Sequence, residues 1–235
     1  MIIGIMQPYF IPYIGYWQLM NAVDKYIVYD DVNYIKGGWI NRNRILVDGI
    51  PKYINILLDH ASPYKKINET TVIHDSLHIT KSLRTIEFAY KKAPYFLEVF
   101  PLVEDIFKCG EENAVAYLMN SFKIICSYLD IRTEIVLSSK IDKDCSLRGQ
   151  DRVLYICESF KADQYYNAIG GKELYSFRAF EERGIKLSFV QTDNIVYKQF
   201  KNGFQSNLSI LDVMMFNSPT QIQEMLKQYT LINQI

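Results

Sequence analysis

Cysteine and histidine are scarce in this sequence, and their scarcity excludes several kinds of site. The chain of 235 residues has four cysteines and three histidines. No two cysteines form a C-x-x-C pair, so we expect free thiols in a reducing compartment rather than disulfides. His74 and His78 stand four residues apart without an H-E-x-x-H motif or a third ligand. We therefore predict no metal site.

An excess of one charge and a long apolar run are also missing. The 26 basic residues balance the 26 acidic residues, whereas nucleic-acid binding depends on basic excess. No apolar run approaches the length of a membrane span. The first apolar run stops at Gln7-Pro8 without a basic residue before it, so it does not read as a signal peptide. We expect a cytoplasmic protein without membrane insertion and without nucleic acid as its main partner.

Apolar residues, by contrast, are plentiful enough for a large core. Hydrophobic residues make up 49% of the chain and aromatic residues 14%. A chain of this length can bury a core as one large unit. We predict a single α/β domain over residues 1–235, with a helical insertion at about residues 80–130.

The most informative stretch covers residues 2–32. Its apolar pattern predicts a strand at Ile2–Met6, a helix at Tyr13–Ala22 and a second strand at Lys25–Tyr29. Such a unit forms a βαβ crossover, whose ligand crevice lies at the carboxyl end of the first strand. Residues 7–10 would form the floor of that crevice, beside a helix N-terminus that suits an anion.

The position of this crevice suggests catalytic candidates. Asp30 and Asp31 end the second strand, where a carboxylate could accept the proton of an amine nucleophile. Asp31 could instead cap the next segment. Gln7 would place an amide in the crevice, or it would satisfy backbone groups of the loop. We predict Asp30, Asp31 and Gln7 as catalytic residues.

A hairpin is predicted after the second strand. Asp48-Gly49 separates the β-rich runs Trp39–Leu46 and Lys52–Leu58, and Asp-Gly is a strong hairpin signal. Alternation along the first run puts Asn41 and Asn43 on one face and Arg42 and Arg44 on the other. The cations of this region, Lys36, Arg42 and Arg44, would be either a clamp on a diphosphate or solvated charges.

The remaining elements are predicted from periodicity and from turn residues. Residues 61–81 are polar and predicted to be irregular. Further helices are expected at Thr80–Lys92, Tyr95–Lys108, Asn113–Leu129, Val153–Ser159, Leu174–Arg183, Leu208–Phe216 and Thr220–Thr230. Further strands are expected at Ile131–Leu137, Ala162–Asn167 and Ile185–Gln191.

A second polar region lies at the carboxyl end of the strand that finishes at Asn167. There Gly170-Gly171-Lys172 offers backbone N–H groups that could cradle a phosphate, although a two-glycine turn is weak evidence alone. Arg148, Asp151 and Arg152 precede or start a predicted helix. They would either contact substrate or pair with each other.

Four strings of the sequence resemble the WbqC-like protein family. They are MQPYFIPYIGYWQLMNAVDKYIVYDDVNYIKGGWINRNRIL (residues 6–46), AYKKAPYF (89–96), IGGKELY (169–175) and NLSILDVMMFN (207–217). The resemblance runs over nearly the whole chain. It implies a role in surface polysaccharide or O-antigen assembly. One activity implied by the family is transfer of an aminoacyl group, such as glycyl, to the amino group of a nucleotide-linked dideoxy sugar.

A more distant resemblance is to the nucleotidylyltransferase and pantothenate-synthetase superfamily. Its H-x-G-H motif matches Tyr13-Ile14-Gly15-Tyr16 here, so the glycine that lets a substrate phosphate approach in that superfamily is kept and both imidazoles are lost. This departure puts adenylate chemistry in doubt. A nucleotide-binding fold with altered chemistry remains compatible.

Together these observations predict an α/β fold with a doubly wound, mostly parallel, Rossmann-like or nucleotidyltransferase-like sheet, a β-hairpin and an inserted helical layer. The predicted function is acylation of a nucleotide-linked amino sugar, with ATP or another acyl-activating donor. The alternatives are a nucleotidylyltransferase-like enzyme and a non-catalytic assembly protein. The sequence leaves the oligomeric state open, a homo-oligomer included. The predicted substrate-binding residues are Tyr9, Tyr13, Gly15, Tyr16, Lys36, Trp39, Asn41, Arg42, Asn43, Arg148, Asp151, Asn167, Gly170, Gly171 and Lys172.

Overall fold

The predicted strand–loop–helix–strand unit opens the fold. The structure is a computed structural model that describes residues 1–200 and 203–233. β1 (Ile2–Met6), α1 (Ile14–Asn21) and β2 (Lys25–Val28) follow one another, and the two strands pair in parallel. β1 is apolar throughout because a central parallel strand is covered on both faces.

The other elements extend along the chain in the following order. The strands are β3 (Arg42–Val47), β4 (Ile50–Asn55), β5 (Leu57–Asp59), β6 (Thr71–Ile73), β7 (Glu134–Leu137), β8 (Gln164–Ala168), β9 (Lys186–Thr192) and β10 (Tyr229–Ile232). The helices are α2 (Ser76–Tyr90), α3 (Phe96–Phe107), α4 (Ala114–Leu129), α5 (Gly149–Ser159), α6 (Phe177–Glu181), α7 (Ile210–Phe216) and α8 (Pro219–Met225). Short 3-10 helices occupy Ile67–Glu69, Ser138–Lys140 and Ile169–Leu174. No helix in the described part of the chain is both long and apolar enough to cross a membrane.

The main sheet has the strand order of a Rossmann fold. Its six strands lie in the order β10-β9-β8-β1-β2-β7. All neighbours are parallel except β10, which runs antiparallel to β9 at the edge. The chain moves outward from β1 in one direction and then, from β8, in the other, so the order reverses between β1 and β8. The predicted mostly parallel, Rossmann-like fold is confirmed.

Helices cover both faces of this sheet. One core contains side chains of α1, α4, α7 and α8 together with Tyr26, Tyr166 and Val190 of the strands. The other core contains side chains of α5 and α6 together with Ile3 and Ile5 of β1. Successive strand residues therefore contribute to opposite cores, as the alternation of side chains along a strand requires.

The predicted hairpin is present as an antiparallel pair of its own, β3 with β4. Asp48 and Gly49 both have positive φ, at 51° and 77°. A two-residue turn with this geometry matches the twist of the flanking strands, and glycine adopts it without strain.

Two regions differ from the sequence prediction. Residues 61–81 are not irregular throughout, because β6 pairs with β5 and α2 begins at Ser76 with Asp75 as its N-cap. The predicted helix Thr220–Thr230 stops at Met225 and is followed by β10. The first error concerns a three-residue strand and the first turn of a helix, and the second extends a helix into the strand that follows it.

A buried carboxylate joins the hairpin to the helices beside it. Asp212 of α7 accepts hydrogen bonds from the Tyr90 hydroxyl (2.7 Å), the Tyr197 hydroxyl (2.6 Å) and Gln199 Nε2 (2.7 Å). The Tyr90 hydroxyl in turn accepts from the backbone N–H of Leu46 in β3. Burial raises the pKa of Asp212, while these hydrogen bonds oppose that shift.

We predict that Asp212→Ala lowers the free energy of unfolding by about 3 kcal/mol, because several buried donors lose their acceptor. Chemical denaturation of both proteins measures this loss. Asp105→Ala, an exposed carboxylate on α3, is the matched control and should change stability by less than about 0.5 kcal/mol. Equal stability of the two variants would contradict the prediction.

Candidate functional site

A large cavity opens where the strand order of the sheet reverses. Its volume is about 700 Å³. The carboxyl end of β1, at Met6 and Gln7, and the carboxyl end of β8, at Asn167 and Ala168, both line it. Ligands of open α/β sheets bind at this position, outside the carboxyl ends of the strands at the switch point.

The loop after β1 is fixed from two sides. Asn43 of the hairpin donates from Nδ2 to the backbone oxygens of Phe10 (3.1 Å) and Ile11 (2.9 Å). The Ser209 hydroxyl, at the start of α7, donates to the same Ile11 oxygen at 2.8 Å. Ile11 has a positive φ of 42°, which is uncommon for a β-branched residue. These hydrogen bonds therefore hold an unfavourable backbone conformation that shapes the cavity wall.

Aromatic rings and amides form much of that wall. The aromatic residues are Tyr9, Tyr13, Tyr29, Trp39 and Tyr175. Burial raises the pKa of Tyr29 to about 12, although the neighbouring Arg152 opposes the shift. Burial also raises the pKa values of Tyr9 and Tyr13. These phenols are therefore neutral at pH 7 and can donate hydrogen bonds to a ligand.

Two amide side chains, Gln7 and Asn167, lie at the strand ends and differ in their hydrogen bonding. Both polar atoms of Asn167 are hydrogen-bonded, because Nδ2 donates to the Tyr165 hydroxyl (2.6 Å) and Oδ1 accepts from the backbone N–H of Ala168 (2.7 Å). Gln7, by contrast, has a buried Oε1 without a partner among the described residues. The Gln7 oxygen is thus an acceptor whose hydrogen bond a ligand can supply.

The charged side chains that line the cavity are all arginines, as far as the described residues show. They are Arg44, Arg148 and Arg152. Arg44 lies over the Trp39 ring at 5.6 Å and donates from Nη2 to the Asn207 oxygen at 3.2 Å. Its Nε is buried and has no partner in the described part of the chain. The cavity therefore favours an anionic ligand.

Arg152 is held in place by Asp31. The Asp31 carboxylate forms ion pairs with Arg152 and, at 2.9 Å, with Lys143 Nζ, and all three side chains are buried. The Arg152 guanidinium also lies over the Tyr29 ring at 5.3 Å. Burial raises the pKa of Asp31, but the two cations and neighbouring hydrogen bonds outweigh it and leave that pKa below its usual value. A lowered pKa makes Asp31 a stable counter-ion and a weak base.

Asp30 and Asp31 do not line the cavity. The Asp30 side chain is 1% exposed. It accepts hydrogen bonds from the backbone N–H (2.8 Å) and the hydroxyl (2.6 Å) of Ser139. In the structure both carboxylates connect β2 to the segment after β7.

The cavity brings together several residues that the sequence predicts for the site and leaves others outside. Those that line it are Gln7, Tyr9, Tyr13, Trp39, Asn43, Arg148, Asn167, Gly170 and Gly171. Besides the two carboxylates, the predicted residues outside its wall are Gly15, Tyr16, Lys36, Asn41, Arg42, Asp151 and Lys172. The first loop and the glycine turn after β8 thus meet at one site.

The residues outside the wall have other contacts or face solvent. Arg42 donates from Nε to the Gly38 oxygen and stacks on Tyr53 at 4.7 Å. Asn41 accepts from the Tyr34 hydroxyl. Tyr16 is buried and donates to the Gln7 backbone oxygen at 2.9 Å. The exposed members of this group are Lys36, Asp151 and Lys172.

The sequence prediction of site residues did not include several that line the cavity, among them Tyr29, Gly149, Gln150, Arg152, Tyr175 and Asn207, and it named Arg44 only as a member of the possible diphosphate clamp. Tyr29 follows β2 directly, so its position at a strand end was a usable signal. The sequence suggests Asp151 as a partner for Arg152, but in the structure Arg152 pairs with Asp31. That pair joins residues 121 positions apart, and no local pattern reveals it. Among the described residues, no group of three His, Cys, Asp or Glu side chains could hold a metal ion.

We predict that Asp31→Asn lowers the free energy of unfolding at pH 7 by about 3 kcal/mol, because two buried cations lose their counter-ion. Asp31 has a lowered pKa in the folded protein, so its stabilisation is complete above the ordinary carboxyl pKa of about 4 and is lost as the pH falls through the folded value. Unfolding of both proteins at pH 7 and at about pH 3 measures the difference, which should shrink at low pH. Asp142→Asn, at an exposed position, is the control, and a pH-independent difference would contradict the prediction.

Comparison with known proteins agrees with the sequence resemblance. The WbqC-like protein family matches residues 7–224. The chain is 30% identical over 230 residues to Uncharacterized protein Rv1507c of Mycobacterium tuberculosis (strain ATCC 25618 / H37Rv), covering 96% of this chain and 97% of that protein. No solved structure matches the chain. The matched residues include Gln7, Asn167 and all three arginines of the cavity, and the chain belongs to the WbqC-like protein family.

Proposed function

We propose that this protein binds a nucleotide-linked amino sugar and acylates its amino group in the cytoplasm during surface polysaccharide or O-antigen assembly. The observation that carries this proposal is the composition of the cavity at the switch point. Its described wall combines aromatic rings, amides and three arginines and includes no acidic side chain. A nucleotide-linked sugar has complementary parts, namely a flat base, hydroxyl groups and a doubly charged diphosphate.

Each part of the wall has a role in this proposal. The rings of Trp39 and Tyr175 offer faces on which a base or a sugar ring can stack. The unpartnered Gln7 oxygen would accept a hydrogen bond from the sugar amino group and so aim its lone pair at the acyl carbon. The phenols of Tyr9 and Tyr13 remain as donors for sugar or acyl oxygens.

The proposed reaction forms a bond between the sugar nitrogen and the acyl carbon and breaks the bond from that carbon to its leaving group. The acyl group, glycyl being one candidate, arrives already activated as an adenylate, on a carrier or on tRNA. The amine proton departs to the leaving group or to water, since Asp30 and Asp31 are engaged elsewhere. In this scheme the two carboxylates are positioning residues. Gln7 acts on the reacting nitrogen itself.

One observation favours a second candidate function. The described residues that line the cavity include no Asp, Glu, His, Lys or Cys side chain, which are the usual acids, bases and nucleophiles of enzymes. A non-catalytic protein that binds a nucleotide-linked sugar within a polysaccharide assembly complex would need none of them. Binding is common to both candidates, and product formation separates them.

We predict that nucleotide-linked sugars change the fluorescence of Trp39 in a saturable manner. The chain has two tryptophans; Trp39 lines the cavity and Trp17 is fully buried. Titration with UDP- and dTDP-linked sugars should therefore give a signal that Trp39→Phe removes. Saturable binding of ATP without any response to nucleotide-linked sugars would contradict the proposal and favour the nucleotidylyltransferase-like alternative.

We predict that Gln7→Ala slows acylation of a nucleotide-linked amino sugar by about tenfold or more, because the amine loses its orienting acceptor. Mass spectrometry of the sugar product, with an activated glycyl donor, measures the rate. Gln191→Ala, at an exposed position on β9, should leave the rate unchanged. Binding of the sugar to the wild-type protein without any acylated product across the three donor classes would favour the non-catalytic candidate.

A further inference from the structure

The first turn of α5 opens into the cavity. Arg148, Gly149 and Gln150 at its start all line the cavity wall. Arg148 is the N-cap residue, and its side chain makes no capping hydrogen bond. Within the described part of the chain, no acceptor outside the helix binds the N–H groups of residues 149–151. The turn therefore presents free donors and the positive end of an eleven-residue helix.

Gly149 keeps the approach to this turn open. Its φ of +51° lies in the left-handed region, where glycine is favoured. A Cβ atom built on Gly149 would meet no heavy atom within 4 Å. No other described residue covers the surface at Gly149.

In many Rossmann folds the N-terminus of the helix that follows the first strand binds the phosphates of the ligand. In this protein the corresponding position, at the start of α1, is filled by side chains. A Cβ on Gly15 would lie 2.5 Å from the Thr192 hydroxyl oxygen and 2.5 Å from a ring carbon of Tyr13. The glycine therefore makes room for the Tyr13 ring and for Thr192. It does not make room for a phosphate. The phosphate approach that the H-x-G-H resemblance implied for Gly15 is filled by the protein itself.

The Arg152 side chain gives independent support for an anion-binding site at the start of α5. Arg152, one turn further along the helix, is 5% exposed and lines the cavity. One end of its guanidinium is bound by Asp31, whereas its Nε is buried without a partner among the described residues. A buried guanidinium donor without an acceptor is costly unless a ligand binds it. Arg148 adds a second guanidinium at the exposed rim.

We propose that the diphosphate of the nucleotide-linked sugar binds at the start of α5, between the N–H groups of residues 149–151 and the guanidinium groups of Arg148 and Arg152. This inference rests on the proposed function and assigns the position of one part of its substrate. The inference replaces the diphosphate clamp predicted from Lys36, Arg42 and Arg44, of which only Arg44 lines the cavity. Asp151 lies in the same turn, but its side chain is exposed and does not line the cavity. The hairpin wall with Trp39 and Arg44 remains for the nucleoside or the sugar.

The test compares two exposed arginines. Arg148→Gln removes a charge at the start of α5. Arg132→Gln is the matched control, because Arg132 is exposed and precedes β7, at the end of the sheet opposite to the carboxyl strand ends that line the cavity. Calorimetry with inorganic pyrophosphate and with UDP- and dTDP-linked sugars should show affinity reduced about tenfold or more by Arg148→Gln and unchanged by Arg132→Gln. The affinity for uridine or thymidine, which lack phosphate, should not change in either variant.

Tyr13→Ala distinguishes the two helix starts. This variant removes the ring that fills the space at Gly15, so a diphosphate held at α1 would bind more tightly. We expect Tyr13→Ala not to bind pyrophosphate more tightly than the wild type. Tighter binding to Tyr13→Ala, combined with no effect of Arg148→Gln, would overturn the inference.

The outcomes separate this inference from the proposed function. Undiminished binding of nucleotide-linked sugars by Arg148→Gln would refute the site at α5 and leave the proposed function standing. Pyrophosphate binding that Arg148→Gln weakens, together with no binding of any nucleotide-linked sugar, would support the anion site and remove the proposed function. Absence of pyrophosphate and nucleotide-sugar binding to the wild type would refute both.

Discussion

The ion pairs of Asp31 are the constraint on which the rest of the site depends. This one carboxylate joins the segment after β2 to Lys143, in the loop after β7, and to Arg152 in α5. Burial makes each of these charges costly alone, so the three groups stabilise only one relative arrangement of the segments. That arrangement points the start of α5 at the place where the strand order reverses. The electrostatic character of the cavity is thus set by a carboxylate that does not line it.

The hairpin has a structural role that its position outside the main sheet does not suggest. Asn43 binds the backbone oxygens of the loop after β1, and Trp39 accepts from the Phe10 N–H through its own backbone oxygen. The hairpin itself is joined to α2 and α7 through Tyr90 and the buried Asp212. Loop, hairpin and helices therefore form one hydrogen-bonded wall, which keeps the cavity open between the two strand ends.

Sequence reasoning recovered the fold where local patterns were long or chemically specific. The Ile2–Met6 strand, the Asp48-Gly49 turn and the helices at Asn113–Leu129 and Tyr95–Lys108 follow from apolar periodicity and turn residues, and the structure contains them within a few residues. Strands β5 and β6 have three residues each, which is too short for such patterns, and the predicted last helix ran into β10; pairing with neighbouring strands decides the formation of all three.

The candidate site was predictable only in part, for a similar reason. Gln7 and Asn167 stand at strand ends, which sequence position alone reveals. Asp31 and Arg152 look equally suited to substrate, and only their distant pairing shows that the carboxylate is occupied by cations. A single sequence contains no pattern that reveals a contact between residues more than a hundred positions apart.

The packing of Tyr13 and Thr192 onto Gly15 has a consequence for redesigning this fold. If histidines were introduced at positions 13 and 16, the effect of each substitution would depend on the other. The imidazole at 16 would enter a sealed aromatic interior, where Tyr16 lies against Trp17, Tyr26 and Phe122. The order of substitution therefore matters: the ring at 13 has to shrink before any new group at the start of α1 can meet a ligand.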